Sequence, residues 1–242
     1  MPARITTLAL GLLFMGISST GQAADPEAGK QVPQEATVAK SVQMRYWLYL
    51  PEGYSKTGKY PLVLFLHGRG ERGDYLEAVL KHGPPKLARE GKQFPFILVA
   101  PQLSNDHLFW QTNELLALLD HIEASYAVDT NRVYCTGLSM GGYGTWALGV
   151  AAPQRFAALL PICGAGDPTM GPVLKNIPIW VFHGTDDKAV PFAQSEVMVK
   201  AIKAAGGDPR FTIYQNVGHD SWTETYNNPA VYEWMLEQKL KP

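Results

Sequence analysis

Ser139, Asp187 and His219 are the three residue types that acyl-transfer chemistry needs, spread over 242 residues. Ser139 stands in Gly137-Leu138-Ser139-Met140-Gly141, the G-x-S-x-G spacing of a serine held on a sharp turn between a strand and a helix. A hydroxyl is a weak nucleophile near neutral pH, so an adjacent base must take its proton. Histidine titrates near neutrality and can return that proton to a leaving group. A carboxylate behind the histidine fixes its tautomer and stabilises the imidazolium. We read Ser139 as nucleophile, His219 as base and then acid, and Asp187 as orienting acid. The developing oxyanion also needs donors, for which the backbone N–H groups of Met140 and Arg69 are the candidates.

These residues meet only if the chain gathers strand ends at one place. The apolar runs "YPLVLFLHG", "PFILVAPQ", "RVYCTG", "FAALLPICG", "PIWVFHG" and "RFTIYQNV" predict short strands, the more continuous of them buried on both faces. "MRYWLYLP" alternates and predicts an antiparallel edge strand. Helical patterns fall between the runs, in "NELLALLDHIEASYAV", "GGYGTWALGVAAP", "PFAQSEVMVKAIKAAGG" and "NPAVYEWMLEQKL". Such alternation predicts an α/β fold with a mostly parallel central sheet and helices on both faces. Residues 25–242 read as a single domain. The longest irregular stretches, around Gly68–Pro85 and Gln102–Gln111, are too short for a large cap domain. In such sheets ligands sit beyond the carboxyl ends of the strands. His67-Gly68-Arg69-Gly70, Ser139, His183-Gly184-Thr185-Asp186-Asp187 and Gly218-His219-Asp220 all follow strand-like runs. The chain order Ser, Asp, His is that of α/β-hydrolases, not of the chymotrypsin or subtilisin types.

With a net charge of −1 the chain has no basic surface to recruit nucleic acid or an anionic membrane. Residues 1–24 read as a signal peptide: Arg4, a mostly apolar run from Ile5 to Ile17, then small residues up to Ala23-Ala24. That run falls short of the roughly 20 residues that span a bilayer, so the expectation is a periplasmic or secreted protein with no stable membrane insertion after cleavage. Cys135 and Cys163 lie in strand-like runs and read as small buried thiols rather than a bridge. Two cysteines are too few for a structural zinc site.

Other features have plainer readings. Gly68–Gly73 ("GRGERG") fits the G-x-G-x-x-G dinucleotide fingerprint, yet the next strand ends in Pro101-Gln102 with no acid for a ribose hydroxyl. No cofactor is expected. His67 and His183 each begin a His-Gly turn, and His82 and His107 read as surface or loop residues, so no metal is expected. Cys135 reads as a packed strand thiol. Trp110, Tyr143 and Trp222 either line an acyl or aromatic pocket or belong to the core.

The segments "LHGRGERGDY", "GLSMGGYGTWALG", "HGTDDKAVP" and "GHDSWTETYNNPAVYEWML" together resemble the α/β-hydrolase superfamily from about Arg45 to Leu236. Within it they are most similar to small phospholipase/carboxylesterase and "predicted peptidase" esterases, relatives of feruloyl and polyhydroxybutyrate esterase domains. In that pattern the acid lies three residues before Val-Pro, which implies Asp187 rather than Asp186. The resemblance implies an exported serine carboxylesterase that cleaves small or aryl esters, free or linked to a polymer, through an acyl-enzyme. A serine peptidase of prolyl-oligopeptidase-like type and a non-catalytic ligand-binding homologue are the alternatives.

Overall fold

Apolar residues on both sides of a strand demand a cover on both sides of the sheet. In the run Leu62–Leu66, Leu62, Leu64 and Leu66 join one buried cluster while Val63 and Phe65 join another. The structure, a computed structural model, describes residues 28–38 and 42–240. The segment 1–24 read as a signal peptide lies outside the described residues.

Among the described residues eight strands form one sheet: β1 (Gln31–Val38), β2 (Val42–Tyr49), β3 (Tyr60–Leu66), β4 (Ile97–Pro101), β5 (Val128–Leu138), β6 (Ala158–Ile162), β7 (Trp180–Gly184) and β8 (Arg210–Tyr214). Their order across the sheet is β1-β2-β4-β3-β5-β6-β7-β8. The pairs β1·β2 and β2·β4 are antiparallel and every other pair is parallel. Among the described residues seven α-helices accompany them: α1 (Gly83–Arg89), α2 (Thr112–Ser125), α3 (Met140–Ala151), α4 (Gly171–Leu174), α5 (Ala193–Ala204), α6 (Trp222–Asn227) and α7 (Pro229–Glu237). Leu115 and Leu118 of α2, Trp146 and Leu148 of α3, and Met198 and Ile202 of α5 cover one face. Tyr226 of α6 and Val231, Tyr232 and Met235 of α7 cover the other. The mostly parallel α/β sheet expected from the sequence is the fold found.

Three details differ from expectation. The strand at "MRYWLYLP" is not an edge, because β1 pairs along the whole of β2, from Gln31 opposite Tyr49 to Val38 opposite Val42. With Pro33 and few apolar residues, β1 has the weak pattern of a true edge strand, where proline is tolerated. The stretch Gly68–Pro85 is not irregular: 3₁₀ turns occupy Arg69–Glu71 and Leu76–Lys81, and α1 then starts with prolines in its first turn. Pieces this short carry no readable period. Lastly, α6 begins three residues after His219, in a segment too brief to show a helical stripe. Among the described residues no helix is long and apolar enough to cross a membrane.

The turn from β5 into α3 brings two backbones together at Gly141. A Cβ there would overlap the carbonyl oxygen of Leu66 at the end of β3. Backbone cannot yield as a side chain does, so Gly141→Ala is expected to cost about 3 kcal/mol or more, read as a lower midpoint in urea. Gly70→Ala, where nothing lies within 4 Å of the new atom, is the matched control and should stay within about 0.5 kcal/mol of wild type.

Candidate active site

Three strand ends deliver the site. Beyond β5 the backbone of Ser139 takes φ 53°, ψ −118°, a conformation that costs a non-glycine residue about 1–3 kcal/mol. It is held there from both sides: Ser139 N–H donates to Ile162 O at 2.9 Å, and Ser139 O accepts from Tyr143 N at 3.1 Å in the first turn of α3. The turn lifts the hydroxyl out of the sheet to 2.9 Å from His219 Nε2. His219 Nδ1 lies 2.7 Å from Asp187 Oδ2. With Nδ1 donating to the carboxylate, Nε2 is left to accept the serine proton.

Asp187 is 5% exposed and its carboxylate is met from four directions. Oδ1 accepts from Ala189 N at 2.8 Å and Val190 N at 2.9 Å. Oδ2 accepts from His219 and from His183 Nε2, the latter at 3.1 Å. Burial pushes the carboxyl up, but the hydrogen bonds from His219, Val190 and Ala189 outweigh that and hold it below its usual range. Asp186, one residue earlier, is exposed and accepts from Thr185 Oγ1 at 3.1 Å. His183 is fully buried; Nδ1 lies 2.7 Å from Ser195 Oγ and Nε2 also faces Val190 O at 2.9 Å. Burial pulls its pKa down, which keeps the ring neutral, and Nε2, facing two acceptors in Asp187 Oδ2 and Val190 O, carries the proton.

Arg69 and Met140 line the same cavity as Ser139. Each is the first residue of its helical piece, a 3₁₀ turn and α3 respectively, and N–H groups in a first turn have no partner within the helix. The loop that carries Arg69 is tied down by His67. That buried ring accepts from Leu103 N at 3.0 Å through Nε2, so Nδ1 donates to Gly68 O at 2.6 Å. Burial pushes the His67 pKa down to about 4, against the hydrogen bond to Gly68, and the tautomer stays set.

The cavity encloses about 740 Å³. Of the three aromatic residues singled out in the sequence, Tyr143 and Trp222 line it, while Trp110 does not. Trp110 is packed under the Arg69 loop, with Nε1 donating to His67 O at 3.3 Å and its ring edge-on to His67; it walls a neighbouring cavity instead. Trp222 stands perpendicular to the His219 ring, with centroids 5.1 Å apart. Two wall residues escaped the sequence reading. Glu71 is a nearly buried carboxylate, and His82, taken above for a surface or loop histidine, sits 3.8 Å from it and edge-on to Trp222. His183 escaped as well: it and Gly184 end β7 rather than begin a turn, and its side chain points at the acid.

Cys135 and Cys163 are free and buried, and burial pushes both thiols up to about 12. Cys163 Sγ comes within 4.8 Å of ligand-type atoms of Asp187 and His219. Those two side chains are already hydrogen-bonded to each other and the thiol keeps its proton, so the trio is a poor metal site.

The family model described as "Dienelactone hydrolase family" matches residues 101–234, more than half of the chain. The chain belongs to the dienelactone hydrolase family. This dienelactone hydrolase family chain is 26% identical over 221 residues to a probable feruloyl esterase C of Aspergillus niger, covering 88% of this chain and 81% of that protein. It is 28% identical over 146 residues to a bifunctional acetylxylan esterase/xylanase of Neocallimastix patriciarum, covering 58% of this chain but only 21% of the relative. A thermostable esterase of known structure superposes with a TM-score of 0.74 at 35% identity, over 87% of this chain and 63% of the other. Family membership makes this dienelactone hydrolase homologue a hydrolase.

Proposed function

We propose that the protein is an exported serine carboxylesterase acting on small or aryl carboxylic esters through Ser139, His219 and Asp187. The observation that carries the reading is the unbroken line from Ser139 Oγ to His219 Nε2 at 2.9 Å and from His219 Nδ1 to Asp187 Oδ2 at 2.7 Å. Ser139 Oγ attacks the ester carbonyl while its proton passes to His219 Nε2. The carbonyl oxygen, now an oxyanion, accepts from the N–H groups of Met140 and Arg69; each such donor is worth about 3–4 kcal/mol of barrier. As the tetrahedral species collapses, the C–O bond to the alcohol breaks and His219 returns the proton to the departing oxygen. Water then attacks the acyl-enzyme, gives its proton to His219, and releases the acid as Ser139 recovers the proton. The relatives named for feruloyl and acetylxylan esters support an ester substrate. Export rests on the sequence of residues 1–24.

Hydrolysis of p-nitrophenyl esters from acetate to laurate tests the reading. We expect turnover that is highest for short acyl chains, as an open site without a large cap domain implies. No turnover on any member would remove the esterase reading, and turnover of peptide amides in its place would move the protein to the peptidases.

A further inference from the structure

Strand β7 sends its side chains alternately to the two faces of the sheet: Val181 joins the buried cluster that holds Met198 of α5, and Phe182 the cluster that holds Met235 of α7. His183 comes next and therefore shares the face of Val181, where Ser195 of α5 meets its ring. A polar ring in that apolar layer is costly unless its nitrogens find partners. Both do, at 0% exposure: Nδ1 meets Ser195 Oγ, which also lies 3.2 Å from Gly164 O, and Nε2 meets Asp187 Oδ2 and Val190 O.

Two ring N–H groups thus converge on one oxygen. Asp187 Oδ2 takes His219 Nδ1–H at 2.7 Å and His183 Nε2–H at 3.1 Å, while Oδ1 is filled by the N–H groups of Ala189 and Val190. A carboxylate offers about four acceptor positions, and here four donors occupy them. Charge that Asp187 shares with His183 is charge it does not offer to His219. The His183 N–H also turns the positive end of its dipole toward the shared oxygen. Both effects act against an imidazolium at 219. His183 itself does not line the Ser139 cavity, so it acts through Asp187.

Resting on the esterase reading, we propose that His183 is a positioning residue for catalysis, whose Nε2–H on Asp187 Oδ2 limits the charge offered to His219 and so keeps that ring free to act as base at lower pH. The other ionisable groups around this line are Cys163 after β6, Tyr143 on α3, Arg69 and Glu71 in the cavity wall, His82 behind Trp222, and Lys188 and Asp220 on the two loops. All of them are constant across the variants below, so a difference between variants belongs to position 183.

His183→Gln and His183→Asn divide the two halves of the ring. A glutamine amide reaches the place of Nε2 and keeps an N–H on Asp187; an asparagine amide reaches only the place of Nδ1, keeping Ser195 and leaving Asp187 without that donor. The test is kcat/KM for p-nitrophenyl acetate from about pH 5 to 8, whose acid limb reports the base of the free enzyme. His183→Asn is expected to move that limb upward by about half a pH unit or more, and His183→Gln to leave it within about 0.2 unit of wild type. Equal shifts in both variants, no shift, or a downward shift in His183→Asn overturn the proposal, because a purely structural role predicts lost stability without this split. If the wild type does not cleave the ester, the esterase reading is what fails. The same comparison is then read from the titration of His219 by NMR of ¹⁵N-histidine-labelled protein, with the same outcomes for and against. If neither variant folds, the wild-type spectrum decides: a neutral Nε2–H tautomer at His183 throughout that range supports the proposal, and an Nδ1–H tautomer or a charged ring refutes it.

Discussion

Ser139→Ala should lose about 10⁵–10⁶-fold in kcat on p-nitrophenyl acetate and should no longer react with a fluorophosphonate that labels the wild type once per chain. The magnitude follows from what is left. Without the hydroxyl, His219 has nothing to deprotonate but water, and the N–H groups of Met140 and Arg69 can polarise a carbonyl that nothing attacks. Among the described residues, Cys163 is a thiol that lies close to the base, within 4.8 Å of the His219 and Asp187 ligand atoms. Burial raises its thiol to about 12, so at neutral pH almost no thiolate exists to take over. The fold should be untouched, because the side chain is small and the bonds that hold the turn run through the Ser139 backbone. Labelling that persists at another residue in Ser139→Ala would dismiss the assignment.

Asp187→Asn should lower kcat by about 10⁴-fold, whereas Asp186→Asn should change it less than about twofold. An asparagine at 187 has the same shape but cannot keep both oxygens as acceptors. Either its NH₂ faces His219 Nδ1, which then turns acceptor and leaves Nε2 protonated toward Ser139, or it faces Ala189 and Val190 and opposes their N–H groups. Asp186 is exposed and its carboxylate accepts from its neighbour Thr185, away from the proton path. Stability should respond too. The Asp187 carboxyl is held below its usual range in the folded state, so it adds stability above the ordinary carboxylate pKa. That increment disappears as pH falls through the depressed folded value. Unfolding midpoints measured from neutral pH downward should therefore fall less steeply in Asp187→Asn than in wild type. Equal losses of activity in the two variants would mean that the orienting acid is some other group.

The sheet and the meeting of Ser139, Asp187 and His219 were legible in the sequence for one reason. Each follows an apolar run, and parallel strands must bring their carboxyl ends to one edge. What escaped depends on contacts between segments that share no local pattern. Glu71 meets His82 only because two 3₁₀ turns fold the intervening chain back, and neither is long enough to show a period. His183 looks like any histidine before a glycine; its second role needs the turn at Asp187–Val190 to swing the carboxylate over the ring. The Trp110 indole is committed to His67 O, a contact with no sequence signal, which sets it beside a neighbouring cavity rather than in the wall of the Ser139 cavity. Strand β1, with proline and few apolar residues, gave no signal until β2 offered it a full ladder.

The unusual backbone at Ser139 ties heat resistance to reactivity. A φ of 53° is easy for glycine and uphill for serine by about 1–3 kcal/mol, so the folded state is under tension at the residue proposed as its nucleophile. Selection for thermal robustness alone would favour glycine at position 139 and silence the protein as it hardened it. The increments available to a sturdier, still active variant must come from elsewhere in the sheet, and the tension at the elbow is one that a working lineage has to carry.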